Sequence, residues 1–267
     1  MTTTRWPALT ASAWVAAQIA YPLTTGAARD RVTILVVVLS AATALLHARA
    51  ERGLGYAAGF ALIVAGLGLI AEILGTTTGF PFGCYDYAHD RLGPEIAGVP
   101  LVVPLAWVGG LYPIRVAAGL VCRGRGAQIA LTATGAVGWD LFLDPQMVAD
   151  GQWHWCSTLP GPPGLPAIPF SNYLGWFAVT ATMTALILAL EQRCRARMSA
   201  PAVPIAVLLW TWFGSGLAHA VFLDLPASAG YGLAGLGLVA VPTAVMLVRG
   251  RGSDPRPRPA TTVDSRP

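Results

Sequence analysis

Carboxylic side chains inside apolar stretches are the residues of this sequence best suited to chemistry. Glu72 lies near the end of one such stretch, and Asp140 and Asp144 lie four residues apart in another. Residues four apart share one face of a helix, with their Cβ atoms about 6 Å apart. Two like charges that close repel each other, so we expect one carboxyl to stay protonated near neutral pH. A protonated carboxyl next to a charged one can act as a general acid beside a general base.

Each of these residues also has a purely structural interpretation. Glu72 could end its helix, since a glycine and three threonines follow shortly after it. Asp144 precedes a proline and could close its helix, but that leaves Asp140 unexplained. Asp224 precedes Leu-Pro in the same manner and is interpreted as a helix-end residue. His219 lies in an apolar segment and is interpreted as a hydrogen-bonded core histidine.

The segments that must position these residues are long and apolar. Of the 267 residues, 55% are hydrophobic and 11% are charged, with a mean hydropathy of +0.59. Soluble domains carry about 25% charged residues, so the composition excludes an ordinary soluble protein. It predicts an all-α fold, a polytopic integral membrane helix bundle in one domain, 1–248, followed by a disordered Arg/Pro-rich tail, 249–267. The eight predicted transmembrane helices are 6–23, 32–48, 54–76, 98–121, 127–148, 171–190, 202–223 and 228–248.

The positions of the basic residues predict how the chain is oriented in the membrane. All 17 basic residues are arginines, and the formal net charge is +4. With eight spans and a cytoplasmic N-terminus, 13 arginines lie inside, only Arg29, Arg31 and Arg91 lie outside, and Arg115 lies within the fourth span. Because inner loops are rich in arginine and lysine, both termini are predicted to be cytoplasmic in a multi-pass protein of the cell membrane. This scattered charge does not favour nucleic-acid binding.

The same topology places the acidic residues of interest on the outer side. Glu72 falls in the outer half of the third span, and Asp140 and Asp144 fall in the outer half of the fifth. The two long outer loops, 77–97 and 149–170, are rich in glycine, proline and aromatic residues. Loops of that length are usually functional or disordered, and the aromatic content argues against disorder. We therefore expect one pocket in the outer leaflet, because ionisable groups inside a membrane normally face a protein interior.

Several kinds of site have no motif in this sequence. There is no glycine-rich phosphate loop or dinucleotide fingerprint, and the four histidines lie far apart. We therefore predict no cofactor and no metal.

His154, between two tryptophans, is interpreted as part of an interfacial aromatic belt. The cysteines form no C-x-x-C pair and no zinc spacing, and are predicted to be packed thiols: Cys84, Cys122, Cys156 and Cys194.

Two stretches of the chain resemble a known family. They are TGFPFGCYDY at 78–87, continuing through LGPEIAGVPLVVPLAW at 92–107, and GWDLFLDPQMVADGQWHW at 138–155, continuing to IPFSNYLGW at 168–176. Together they resemble the integral-membrane carotenoid biosynthesis proteins that include bisanhydrobacterioruberin hydratase and the carotenoid 1,2-hydratases. The resemblance implies cofactor-independent addition of water to the terminal carbon–carbon double bond of an acyclic carotenoid, such as bisanhydrobacterioruberin or a lycopene-type pigment. The product would be a tertiary alcohol.

The residues fit this implied chemistry. Asp144 or Asp140 would protonate the alkene, and Glu72 would assist the base that activates water. Asn172 could hold that water, or it could cap the sixth helix. Aromatic faces would shelter the cation, and the candidates are Tyr85, Tyr87, Trp139, Trp153 and Trp155.

Alternatives from other classes stay open at this stage. One is an aspartate-rich membrane prenyltransferase or lycopene elongase, although the second aspartate cluster that diphosphate binding needs is absent. Another is a proton-coupled transporter or a non-enzymatic carotenoid binder. For the hydratase, the predicted partners are a lipophilic acyclic carotenoid substrate, membrane lipid and other membrane enzymes of the carotenoid pathway.

Overall fold

The computed structural model describes residues 5–194 and 200–252, and these residues are mainly helical, as predicted. They form eight α-helices, and a 3₁₀ turn, Tyr21–Leu23, follows the first of them. The helices are α1 (Arg5–Ala20), α2 (Gly26–Arg52), α3 (Leu54–Thr78), α4 (Val102–Val121), α5 (Arg125–Ala149), α6 (Phe170–Cys194), α7 (Ala202–Val221) and α8 (Pro226–Gly252). Helix α8 includes the first residues of the predicted tail 249–267, and residues 253–267 lie outside the described residues.

Six of the described helices are long and apolar enough to cross a membrane: α2, α3, α4, α6, α7 and α8. Helix α1 has 16 residues, and helix α5 carries both Asp140 and Asp144. The protein is therefore a membrane helix bundle. The count of eight spans and the cytoplasmic location of both termini stay predictions.

Helix α4 lies at the centre of the bundle. It packs against α2, α3, α5, α7 and α8, and most of its residues from Val102 to Ala118 are buried. The other seven helices surround it in the order α1, α2, α3, α6, α5, α8, α7, and the ring closes where α7 meets α1. Small residues let these helices approach closely, as expected inside a bilayer. At the crossing of α5 and α8, a Cβ atom on Gly138 would overlap the backbone of Gly235 and Leu236.

The two ends of the bundle have different polar contacts. At the end where α3 stops and α4 starts, Arg29 pairs with Asp150 at 3.1 Å and Arg91 pairs with Asp30 at 2.7 Å. Helix α2 begins at Gly26, six residues before the predicted apolar segment 32–48. The longer helix is explained by these ion pairs, because both Arg29 and Asp30 in its first turns have a partner of opposite charge.

At the opposite end, Arg115 pairs with Glu191 at 2.5 Å, and Tyr56 donates a hydrogen bond to the same carboxylate. Arg115 is buried, and a buried arginine normally requires such a partner.

The two long connections, 79–101 and 150–169, fold together over one end of the bundle, and we call them the cap. Strand β1 (Tyr85–Tyr87) pairs antiparallel with β4 (Trp153–Trp155), and β2 (Glu95–Ile96) pairs with β3 (Val99–Pro100). The all-α prediction omitted these strands. Strands of two or three residues leave too short a pattern to detect without knowing their partner.

A disulfide joins the two halves of the cap. Cys84 is bonded to Cys156, with their Cα atoms 5.1 Å apart, whereas Cys122 and Cys194 are free. The prediction of packed thiols is therefore wrong for the bonded pair. The bonded residues are 72 positions apart, and the β1–β4 ladder that brings them together could not be inferred from the cysteine spacing.

Candidate functional site

One cavity lies between the cap and the centre of the bundle. It has a volume of about 450 Å³, which is within the range of small-molecule sites. Helices α3, α4, α5 and α6 form its wall on the side of the acidic residues. The structure brings together at this cavity all of the predicted site residues: Glu72, Tyr85, Tyr87, Trp139, Asp140, Asp144, Trp153, Trp155 and Asn172.

Glu72 is buried and fully hydrogen-bonded. Its Oε2 accepts hydrogen bonds from the phenol oxygens of Tyr85, at 2.5 Å, and Tyr87, at 2.8 Å. Its Oε1 accepts a hydrogen bond from the indole Nε1 of Trp107 at 2.9 Å. Glu72 thus belongs to the cavity, and its interpretation as a helix-end residue is wrong.

Asp140 and Asp144 are both buried and are linked by Asn172. The amide Nδ2 of Asn172 donates to Oδ2 of Asp140 at 2.7 Å and to Oδ2 of Asp144 at 2.8 Å. Asn172 is the third residue of α6, and its side chain binds these two carboxyls instead of capping the helix. Its amide oxygen has no hydrogen-bond partner within the part of the chain that the structure describes.

The remaining oxygen of Asp144 is bound by the cap. Its Oδ1 accepts hydrogen bonds from the indole Nε1 of Trp153, at 2.6 Å, and of Trp155, at 3.1 Å. Asp140 differs from the other two acids in this respect. Among the described residues, its side chain accepts one hydrogen bond, from Asn172, whereas Glu72 and Asp144 each accept three.

The pleat of the β1–β4 pair explains why the cap aromatics point inward. In a strand, alternate side chains face opposite sides. Tyr85 lies opposite Trp155 and Tyr87 lies opposite Trp153, so these four rings face the cavity. The central residues of the two strands, Asp86 and His154, face solvent on the outer side. The two short patterns Tyr-Asp-Tyr and Trp-His-Trp are therefore aromatic–polar–aromatic alternations.

The two halves of the site are built in the same manner. Glu72 lies on α3 and is bound by the tyrosines of the strand that follows α3, whereas Asp144 lies on α5 and is bound by the tryptophans of the strand that follows α5. The antiparallel pairing of the strands then places the two acids at one cavity. Each acid thus depends on the half of the cap next to it in the chain.

Burial fixes the protonation of the cap tyrosines. The pKa of the Tyr85 phenol is raised far above 10, first by loss of hydration and then by the Glu72 carboxylate. Burial and the same carboxylate raise the pKa of Tyr87. Both phenols therefore stay neutral and act as hydrogen-bond donors at physiological pH.

Two tryptophans of the site were missed by sequence reasoning. The rings of Trp107 and Trp176 stack at 3.8 Å between centroids, and Trp139 meets Trp176 edge-on at 5.7 Å. Gly68 of α3 makes room for the stack, because a Cβ atom there would lie 3.1 Å from the Trp107 ring. Trp107 ends the family-like stretch at 92–107 and Trp176 ends the one at 168–176, so the family resemblance was the signal that could have found them.

Three other ionisable residues, His219, Asp224 and His89, do not line the cavity. His219 is buried and hydrogen-bonded to Ser228 and Gln146, each at 2.9 Å, which confirms that it is a core histidine. Asp224 follows the end of α7 and is exposed. His89 is exposed and paired with Glu95, whose hydrogen bond raises the pKa of the imidazole. Within the described residues, no three His, Cys, Asp or Glu side chains are grouped to hold a metal ion.

Comparisons with known proteins agree with the resemblance found in the sequence. A family model described as "Carotenoid biosynthesis protein" matches residues 32–240. A curated relative, bisanhydrobacterioruberin hydratase from Haloarcula japonica, is 33% identical over 129 residues. That alignment covers 42% of this chain and 41% of the relative, so the chain matches less than half the length of that protein. No solved structure matches the chain significantly.

Proposed function

Because the chain belongs to the carotenoid biosynthesis protein family, we propose that it is a carotenoid hydratase. It would add water, without a cofactor, to the terminal double bond of an acyclic carotenoid and give a tertiary alcohol. The observation that carries the proposal is the Asp140–Asn172–Asp144 arrangement in a cavity walled by aromatic rings. The name of the Haloarcula relative supports the same reaction.

The hydrogen bonds favour Asp140 as the proton donor. Donors directed at a carboxyl group stabilise its charged form. Glu72 and Asp144 each accept three such bonds, and Asp140 accepts one. Among the arginines that the structure describes, none lines the cavity to balance three buried charges. The least costly arrangement therefore keeps the proton on Asp140, since an unpaired buried charge is expensive.

The reaction then follows in two steps. The Asp140 carboxyl gives its proton to the less substituted alkene carbon, the double bond breaks, and a tertiary cation forms. A water oxygen bonds to that cation while Asp144 takes one of the water's protons. Transfer of this proton from Asp144 to Asp140 restores the starting state, so that one water is added and nothing else is consumed. Glu72, with its phenol and indole donors, provides negative charge near the cation.

The neighbouring groups suit the cation and the water. The stacked Trp107 and Trp176 and the edge-on Trp139 present aromatic faces, and each cation–π contact contributes about 0.5–2 kcal/mol. The amide oxygen of Asn172 is the group available to accept a hydrogen bond from the attacking water. The apolar wall keeps other water away from the cation.

The proposed setting is the cell membrane, with the protein multi-pass and the cap outside the cytoplasm. The Cys84–Cys156 disulfide supports this orientation, because such bonds persist outside the reducing cytosol. A carotenoid dissolved in the bilayer would be the substrate, and other membrane enzymes of the pathway would be the partners.

Expression in a host that accumulates lycopene tests the proposal. We expect a more polar pigment, heavier by one water and with an unchanged polyene spectrum. The Asp140→Asn, Asp144→Asn double variant should abolish it, and Asp86→Asn, on the exposed side of β1, is the matched control. Full activity of the double variant would end the proposal, and a mass gain of a prenyl group would instead favour the prenyltransferase.

A further inference from the structure

Within the described part of the chain, the exposed residues of the cavity lining lie together on one side of the bundle. Its lining residues are buried or half-buried with four exceptions, all of them apolar and exposed. These four belong to α1, the 3₁₀ turn after it, and the C-terminal end of α7: Ile19, Leu23, Leu217 and Phe222. The opening therefore lies between α1 and α7, and its rim carries no charged residue.

The boundary between α1 and α7 is also the loosest in the ring of helices. Every other pair of neighbours in the ring makes more extensive contact than these two. A hydrogen bond from Trp210 Nε1 to Gln18 Oε1, at 2.7 Å, spans the boundary, and both side chains line the cavity. Between Trp210 and Leu217, the face of α7 turned to the cavity carries the small residues Gly214 and Ser215.

The cavity is too small for a whole carotenoid. A volume of about 450 Å³ suits a ligand of ordinary drug size, so it can take an end group and a short part of the chain. The acids lie under the cap, where Tyr85, Tyr87, Trp153 and Trp155 cover them. An end group that reaches the acids must leave the rest of its polyene outside, and the apolar rim between α1 and α7 is the exposed exit.

We propose that the gap between α1 and α7 is a lateral portal, an opening toward the bilayer through which the carotenoid chain passes. This proposal rests on the proposed function. The end group enters from the bilayer between Leu217 and Ile19 and reaches Asp140, while the remaining polyene stays in lipid. The Gln18–Trp210 hydrogen bond is the contact across the portal that must yield or shift when a chain passes.

Photo-crosslinking in membranes of a lycopene-accumulating host tests the portal. Leu217→p-benzoylphenylalanine places a light-activated group on the rim, where the native residue is 49% exposed. Leu174→p-benzoylphenylalanine is the control, because α6 lies at the opposite side of the ring and Leu174 is 72% exposed. Leu174 and Leu217 lie equally many residues from the ends of their helices nearest the cap. We expect a lycopene adduct several-fold stronger at 217. An equal or stronger adduct at 174, or none at 217, would overturn the portal.

A second pair of variants tests passage through the portal. Gly214→Leu adds bulk beside Trp210, whose ring would lie 3.3 Å from the new Cβ. We expect hydration of lycopene to slow about tenfold or more. Gly230→Leu on α8, with open space around it, should keep the wild-type rate. Equal rates in the two variants would overturn the portal. If wild type gives no hydrated pigment, the proposed function fails, and the adduct comparison still decides the portal.

Discussion

The Asp140→Asn substitution tests the proposed acid with the least disturbance of the residues around it. The substitution keeps the size of the side chain and removes the acidic proton. Asp140 accepts one hydrogen bond, from Asn172 at 2.7 Å, and the amide oxygen of an asparagine can accept the same bond. We therefore expect the variant to fold and to keep its cavity, while losing the group that protonates the alkene.

The expected loss of activity is large. A positioned general acid contributes about 10²–10⁴-fold to a rate. At about 1.4 kcal/mol for each factor of ten, this corresponds to roughly 3–6 kcal/mol of transition-state stabilisation. Substrate binding should change little, because most of the cavity lining is apolar or aromatic and stays unchanged. The loss should therefore appear in kcat, with KM nearly unchanged.

Glu72→Gln provides the contrast. Its carboxylate accepts hydrogen bonds from Tyr85, Tyr87 and Trp107, and the NH₂ group of a glutamine cannot accept one. At least one buried donor is left without a partner, which costs about 1–3 kcal/mol of stability. We expect a lower melting temperature for Glu72→Gln and a wild-type melting temperature for Asp140→Asn.

The assay is conversion of lycopene in isolated membranes, followed by chromatography and mass spectrometry, with melting temperatures from the purified variants. An Asp140→Asn variant that keeps more than about half of the wild-type rate would refute the assignment of the acid, since a general acid cannot be removed at so small a cost. An Asp140→Asn variant that unfolds would refute the reasoning from its single hydrogen bond.

Three further predictions concern the parts that hold the site. Cys84→Ser should lower stability by about 2–4 kcal/mol and reduce activity by loosening the cap, whereas Cys122→Ser, at a free thiol, should change neither; thermal unfolding with and without reductant measures this. Gly138→Ala should cost about 1–3 kcal/mol and much of the activity, because its Cβ would push α8 away from the helix that carries the aspartates; melting and turnover assays check it. The raised pKa values of Tyr85 and Tyr87 contribute fully to the stability of the fold below about pH 10, where these phenols are neutral in the unfolded chain as well. As the pH rises further, the phenols ionise in the unfolded chain first, so this contribution to stability should disappear. Absorbance at alkaline pH should show two phenols that ionise only on unfolding.

The sequence was sufficient to place the helices and the acids. Long apolar segments have few structural options in a bilayer, so the approximate limits of the helices follow from composition and length. Asp140 and Asp144 stand out because a carboxyl group in such a segment requires a polar partner. The chemistry that the family resemblance implies added Asn172 and the aromatic residues, and these line the same cavity as the acids.

The cap could not be predicted, because it depends on contacts between distant parts of the chain. The pairing of Tyr85 with Trp155 joins residues 70 positions apart, and no local pattern specifies it. The same holds for the Cys84–Cys156 bond and for the stack of Trp107 on Trp176, which depends on where α4 and α6 meet. Residues four apart on one helix can be paired from sequence, whereas these cannot.

The tryptophans around the cavity give the protein an optical property. Seven of its nine tryptophans line the cavity: Trp14, Trp107, Trp139, Trp153, Trp155, Trp176 and Trp210. A bound carotenoid would place its end group among these indoles and hold its polyene at the mouth of the cavity, near enough to accept their excitation energy. The ultraviolet emission of the protein should therefore fall as the cavity fills, and occupancy could be followed in real time without a label, even in variants that carry out no reaction.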